Sequence, residues 1–175
     1  AQASYLIACE ATRQAIVIDP LRDPSVYVKA ADFEDVRIAY VTETHVHADF
    51  LSGADALARL VGAELMLSGE GETEQESART RRSSAKPLLD GGVISVGQVR
   101  LDVRHTPGHT PEHLIFVVTD EATSQLPMGI VSGDFLFAGD VGRPDLLERA
   151  VGVAGSMQQS AQDLYRSLRS VRGLP

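Results

Sequence analysis

The sequence is short of cysteine, of basic charge and of long apolar runs, and each shortage narrows the function. Cys9 is the single cysteine. One thiol excludes an internal disulfide and any cysteine-rich zinc or iron–sulfur site within the chain. It lies in the first apolar run, where it reads as a small buried residue. Lys plus Arg total 16 against 24 Asp plus Glu, a net charge of -8. That balance argues against a nucleic-acid-binding face, which needs a basic stripe. No apolar run approaches the roughly 18 residues of a membrane-spanning helix. The opening residues AQASYLIACE carry no basic stretch ahead of the apolar ones, so no signal peptide is read. These features predict a soluble, intracellular protein that binds neither nucleic acid nor membrane. At 175 residues, 43% hydrophobic and 23% charged, the chain can build one globular domain without covalent staples.

Short apolar runs separated by turns dominate the first half. Residues 4–9 and 15–19 read as strands joined by a hairpin, with Asp19-Pro20 ending the second. Residues 38–42 form a continuous apolar run, as expected of a strand buried on both faces. Helical spacing follows over 53–61, then a short strand over 64–67. Residues 70–86 are polar and charged and read as a solvated loop or exposed helix. Residues 99–103 alternate, 114–118 are apolar throughout, and 129–131 form a last short strand. Met157, Ala161, Leu164, Leu168 and Val171 make one stripe of a final helix, which Ser156 is positioned to cap. Strands that come early and then alternate with helices predict an α/β or α+β layered sheet protein.

Five histidines carry the chemical information. His45 and His47 follow the strand at 38–42, two residues apart, so they point the same way in extended backbone. Asp49 adds a carboxylate to the same loop. His105 and His109 follow the strand at 99–103, with Pro107-Gly108 as a tight turn that re-aims His109. His113 lies four residues further on. Of these three, His109 is the ligand candidate; His105 and His113 read as supporting residues. Asp134 follows Ser132-Gly133 at the end of the strand at 129–131. Three strand ends therefore offer two imidazoles and a carboxylate, a ligand set used by non-haem iron oxygenases and, with further ligands, by zinc hydrolases.

Together, ThrHisValHisAlaAsp at 44–49, HisThrProGlyHisThr at 105–110 and SerGlyAsp at 132–134 resemble the metallo-β-lactamase fold superfamily in order and spacing. The longer strings at 43–54, 105–113 and 132–146 are most similar to persulfide dioxygenases of the type often fused to rhodanese domains. The resemblance implies an αββα four-layer sandwich spanning 1–175, lacking its C-terminal strand and helix, with the ends trimmed. It implies one Fe(II) per chain, with zinc as the alternative, held by His45, His109 and Asp134 as the catalytic ligands. His47 and Asp49 would lie beside the metal, orienting its ligands or serving as alternative ligands. Arg143 and Asp145, in GlyArgProAsp, would bind substrate or orient the loop. The implied reaction oxidises a thiol persulfide, such as glutathione persulfide, with dioxygen to sulfite and thiol. A rhodanese partner domain and a homo-oligomer remain open. The alternative is a zinc-dependent thioester hydrolase of glyoxalase II type. Glyoxalase II generally carries a histidine after the motif aspartate, where this chain has Phe50, and that departure argues for one metal.

Overall fold

A computed structural model describes residues 3–71, 84–146, 148–149, 152 and 155–174. The first sheet contains β1 (Tyr5–Cys9), β2 (Gln14–Ile18), β3 (Arg37–Thr42), β4 (Glu64–Ser68) and β5 (Lys86–Leu88), in that order. β1 and β2 form the expected antiparallel hairpin; β2 to β5 run parallel. Parallel neighbours need crossovers. The first two are α1 (Ser25–Phe33) and α2 (Ala54–Val61). The second sheet contains β6 (Val93–Val96), β7 (Val99–His105), β8 (Leu114–Asp120) and β9 (Gly129–Val131), all antiparallel. A small hairpin, β10 (Leu136–Phe137) with β11 (Asp140–Val141), precedes α3 (Ser156–Val171).

Side-chain alternation stacks these elements into layers. In β2, Ile16 and Ile18 face the second sheet, where they meet Leu101, Val103, Leu114 and Phe116. Val17, between them, faces the other way and packs with Tyr27 and Ala31 of α1 and Leu57 of α2. All three β2 residues are fully buried, so this strand has an apolar layer on each face and no alternation in its sequence. On the far side, Ile115 of β8 points outward to Leu164 of α3 and to Phe135. The order is therefore helices, sheet, sheet, helix, the four-layer αββα arrangement.

Several details differ from the sequence reading, which gives no strand at β5, β6, β10 or β11. Ser156 does not cap α3: it is the first helical residue, and Gly155 occupies the cap with a left-handed backbone and no side-chain hydrogen bond. α1 gave no clear signal, because its buried face is only Tyr27 and Ala31. The polar stretch at 70–86 lies largely outside the described residues; its last residue opens β5. Cys9 is buried between the sheets, as expected. Among the described residues no helix is long and apolar enough to cross a membrane.

The layers converge on one end of the sandwich. Asp19, Thr44–His47, the 106–113 loop and Gly133-Asp134 all lie just beyond the C-terminal ends of strands β2, β3, β7 and β9. α3 holds the 106–113 loop from outside. Ser167 Oγ donates to the Pro107 carbonyl at 2.8 Å. Gly108 has φ +142°, and a Cβ there would lie 2.5 Å from the Leu164 Cα. A Gly108→Ala variant is therefore expected to lose stability on two counts, backbone strain and overpacking, each costing about 1–3 kcal/mol. Chemical denaturation of the metal-free protein measures this loss.

Candidate metal centre

Two parallel strands set the first half of the site. β2 and β3 are in register at Ile18 and Thr42, so the residues beyond them meet directly. Asp19 has a positive φ of 53° and is 2% exposed. Its Oδ1 accepts from the Thr44 backbone N–H at 2.7 Å, and its Oδ2 accepts from the Thr44 hydroxyl at 2.8 Å. Thr44 Oγ1 also lies 2.9 Å from His45 Nδ1. A hydroxyl has one hydrogen, and the carboxylate takes it. The imidazole must therefore donate, so His45 carries its proton on Nδ1 and keeps the Nε2 lone pair for a ligand. His47 turns to the same carboxylate, with Nε2 donating to Asp19 Oδ1 at 3.1 Å. Phe50 covers the His47 ring at a centroid distance of 4.2 Å.

The second half comes from the other sheet. β7 and β8 pair through His105 and Leu114, and the 106–113 loop between them is closed by Thr106 N–H donating to the His113 carbonyl at 2.8 Å. His109 Nδ1 donates to the Arg143 carbonyl at 3.3 Å, which leaves its Nε2 lone pair free. That atom lies 3.4 Å from Asp134 Oδ2. Asp134 is presented by a tight turn. Gly133 has φ +49°, and a Cβ there would be 2.5 Å from Thr44 Oγ1 and 3.0 Å from His113 Nε2, so this position admits only glycine.

Ligand atoms of His45, His109 and Asp134 all fall within 4.8 Å of one another. His45 and His109 are buried and Asp134 is partly open to solvent. Burial holds His45 far below the usual imidazole range, reinforced by the neighbouring rings of His113, His47 and His109. Burial also lowers His109, partly offset by Asp134 and the Arg143 carbonyl. Neutral imidazole lone pairs facing a carboxylate repel each other unless a cation lies between them. The donor set therefore fits a metal ion: two neutral imidazoles, each with its other nitrogen committed to an oxygen, and one carboxylate.

The remaining candidates surround this trio. His47 is directed at Asp19, and its ring centroid is 4.2 Å from that of His45. Asp49 is exposed and acts on His109 through its charge. His105 Nε2 donates to the Pro111 carbonyl at 2.7 Å. His113 is fully buried and stacked on His45 with centroids 4.9 Å apart. Arg143 lies with its guanidinium on Asp145, at 2.8 Å and 3.0 Å. That contact holds the Asp145 carboxyl below the usual carboxylate range. Arg149 reaches the same carboxylate at 3.0 Å. Asp19, before Pro20, reads in the sequence as a plain strand terminator, and only the fold gives it a role at the site. Its left-handed backbone and three hydrogen bonds depend on a strand pairing invisible in the local sequence.

Buried neutral histidines give the metal-free protein a definite pH dependence. Their folded values lie below the ordinary 6.5, so the unfolded chain binds more protons below that pH. Stability is full above about pH 6.5 and is lost as pH falls, by up to about 1.4 kcal/mol per pH unit for each such histidine. Thermal melting of metal-free protein between pH 7.5 and 5 checks this: the midpoint is expected to fall steadily on the acid side.

The Metallo-beta-lactamase superfamily pattern matches residues 1–175, and the chain belongs to that superfamily. A solved metallo-beta-lactamase from Staphylococcus aureus is 42% identical with a TM-score of 0.87, covering 99% of this chain and 49% of that one. The hydroxyacylglutathione hydrolase of Rhodospirillum rubrum is 30% identical over 173 residues, 98% of this chain and 57% of its own length. The human mitochondrial persulfide dioxygenase ETHE1 is 29% identical over 174 residues, 94% of this chain and 56% of its own length. The chain spans about half the length of the curated relatives it matches.

Proposed function

We propose that this domain is the catalytic part of an iron-dependent persulfide dioxygenase, with one Fe(II) held by His45, His109 and Asp134. The observation that carries the reading is the fate of the neighbouring donors. His47 is committed to Asp19 and covered by Phe50, and the described residues offer a single three-ligand cluster. A second metal would need donors that Phe50 does not supply. Similarity to the human persulfide dioxygenase supports the same reading.

The overall reaction balances as RSSH + O2 + H2O giving RSH + H2SO3. The two persulfide sulfurs together lose four electrons, and dioxygen gains them. Iron, when bound, supplies the redox chemistry that couples dioxygen to sulfur. The chain's own residues hold and aim. Thr44, relaying Asp19, keeps the His45 Nε2 lone pair directed at the site. The Arg143 carbonyl does the same for His109. Arg143 and Arg149 both pair with Asp145, which fixes the loop that carries the Arg143 carbonyl. Phe50 presents apolar surface on the His47 side and limits water there. We place the reaction in the cytoplasm, on the likeness of the motifs to bacterial persulfide dioxygenases.

The second reading, a zinc-dependent thioester hydrolase, is favoured by the Rhodospirillum relative. Metal analysis of protein purified without added metal separates the two. One iron per chain supports the dioxygenase. Two zincs per chain would overturn it.

A further inference from the structure

Glu112 has no role in the ligand set, yet it is 2% exposed and lies three residues beyond His109. Its Oε1 accepts from the Val46 backbone N–H at 2.7 Å. Val46 is the residue between His45 and His47. A buried carboxylate is costly unless its hydrogen bonds repay it, and here the bond joins two loops from different sheets. Two further contacts run in parallel. Leu114 N–H donates to the Thr44 carbonyl at 2.7 Å. The His113 ring stacks on His45 with an interplanar angle of 23°. Glu112, His113 and Leu114 thus grip residues 44–46 from the loop that carries His109.

We propose that Glu112 is a positioning residue of the metal centre: its carboxylate oxygen pins the Val46 peptide and so fixes His45 relative to His109. The proposal rests on the metal-centre reading but not on the reaction assigned to it. His45 and His109 lie in loops that follow strands of separate sheets, and strand pairing alone does not set their separation. The Glu112 hydrogen bond spans that gap through side chain and backbone. What matters is an acceptor oxygen at the right reach, and the negative charge is secondary.

Two variants separate reach from charge. Glu112→Gln keeps the acceptor and removes the charge; Glu112→Asp keeps the charge and withdraws the oxygen by one methylene. Metal-free protein is titrated with Co(II) against a chelator, with the visible ligand-field spectrum recorded and the melting temperature measured before metal is added. Co(II) reports the ligand geometry directly. Expected for Glu112→Gln is an affinity within about threefold of the parent with an unchanged spectrum. Expected for Glu112→Asp is an affinity roughly 10- to 100-fold weaker, the range for groups that orient metal ligands, with an altered spectrum. Both proteins are to be folded at the titration temperature by circular dichroism. Glu112→Asp binding like the parent would overturn the proposal, as would Glu112→Gln binding as weakly as Glu112→Asp. A parent that fails to bind Co(II) would instead remove the metal-centre reading, and this inference with it.

Discussion

Replacing His109 with alanine is expected to abolish metal binding while leaving the fold intact. Its Nε2 is one of three ligand atoms in the cluster, and it lies 3.4 Å from Asp134 Oδ2. Without it, one imidazole and one partly exposed carboxylate remain, and affinity should fall by more than the roughly 100-fold seen when only an orienting partner is lost. Turnover should fall to background at any attainable metal concentration. Stability of the metal-free protein should change little by comparison. The side chain is a neutral imidazole, and among the described residues its hydrogen bond is one long contact to the Arg143 carbonyl, 3.3 Å. Equilibrium dialysis with metal, beside circular dichroism of the metal-free variant, measures both quantities. His47→Ala is the informative comparison. His47 faces Asp19, so its loss should weaken metal binding by about tenfold, the low end of the orienting range. Equal damage from the two variants would make His47 a direct ligand.

The second large effect concerns Asp19. Asp19→Ala removes the acceptor for the Thr44 N–H, the Thr44 hydroxyl and His47 Nε2 together. Each buried donor left unpaired costs about 1–3 kcal/mol, so the metal-free protein should be severely destabilised. Asp19→Asn is the sharper probe. Its oxygen can still accept from the Thr44 N–H, but its amide nitrogen must then face Thr44 Oγ1 and donate to it. The Thr44 hydroxyl hydrogen is released and turns to His45 Nδ1. His45 then carries its proton on Nε2, the wrong tautomer for a ligand. Asp19→Asn is therefore expected to fold better than Asp19→Ala yet to bind metal roughly tenfold or more weakly than the parent. Nitrogen-15 NMR of the imidazoles reads the tautomer directly. A parent-like tautomer and parent-like affinity in Asp19→Asn would contradict the proton assignment.

Much of this architecture was legible in the sequence because strand ends and turn residues announce themselves. The runs at 15–19, 38–42 and 114–118 became β2, β3 and β8, and the apolar stripe from Met157 to Val171 became α3. HisThrProGlyHis read as a turn that re-aims His109, and Gly108 has the positive φ such a turn needs. Other features depend on packing between distant segments and leave no local trace. The Ser-Gly-Asp string gave no sign that Gly133 is pressed against Thr44, 89 positions away in the sequence, within reach of its hydroxyl. Glu112 reads as an ordinary surface acid beside a proline until the β7–β8 loop folds it inward onto Val46. α1 escaped notice because two buried residues make too narrow a stripe. The capping role read into Ser156 failed for a related reason: Gly155, one residue earlier, already supplies the left-handed entry to the helix.

Oxygen uptake on adding glutathione persulfide to iron-loaded protein decides whether the domain is a dioxygenase. One dioxygen consumed and one sulfite formed per persulfide are expected, both lost in His109→Ala. No oxygen consumption by the iron-loaded protein, with cleavage of lactoylglutathione instead, would contradict that assignment.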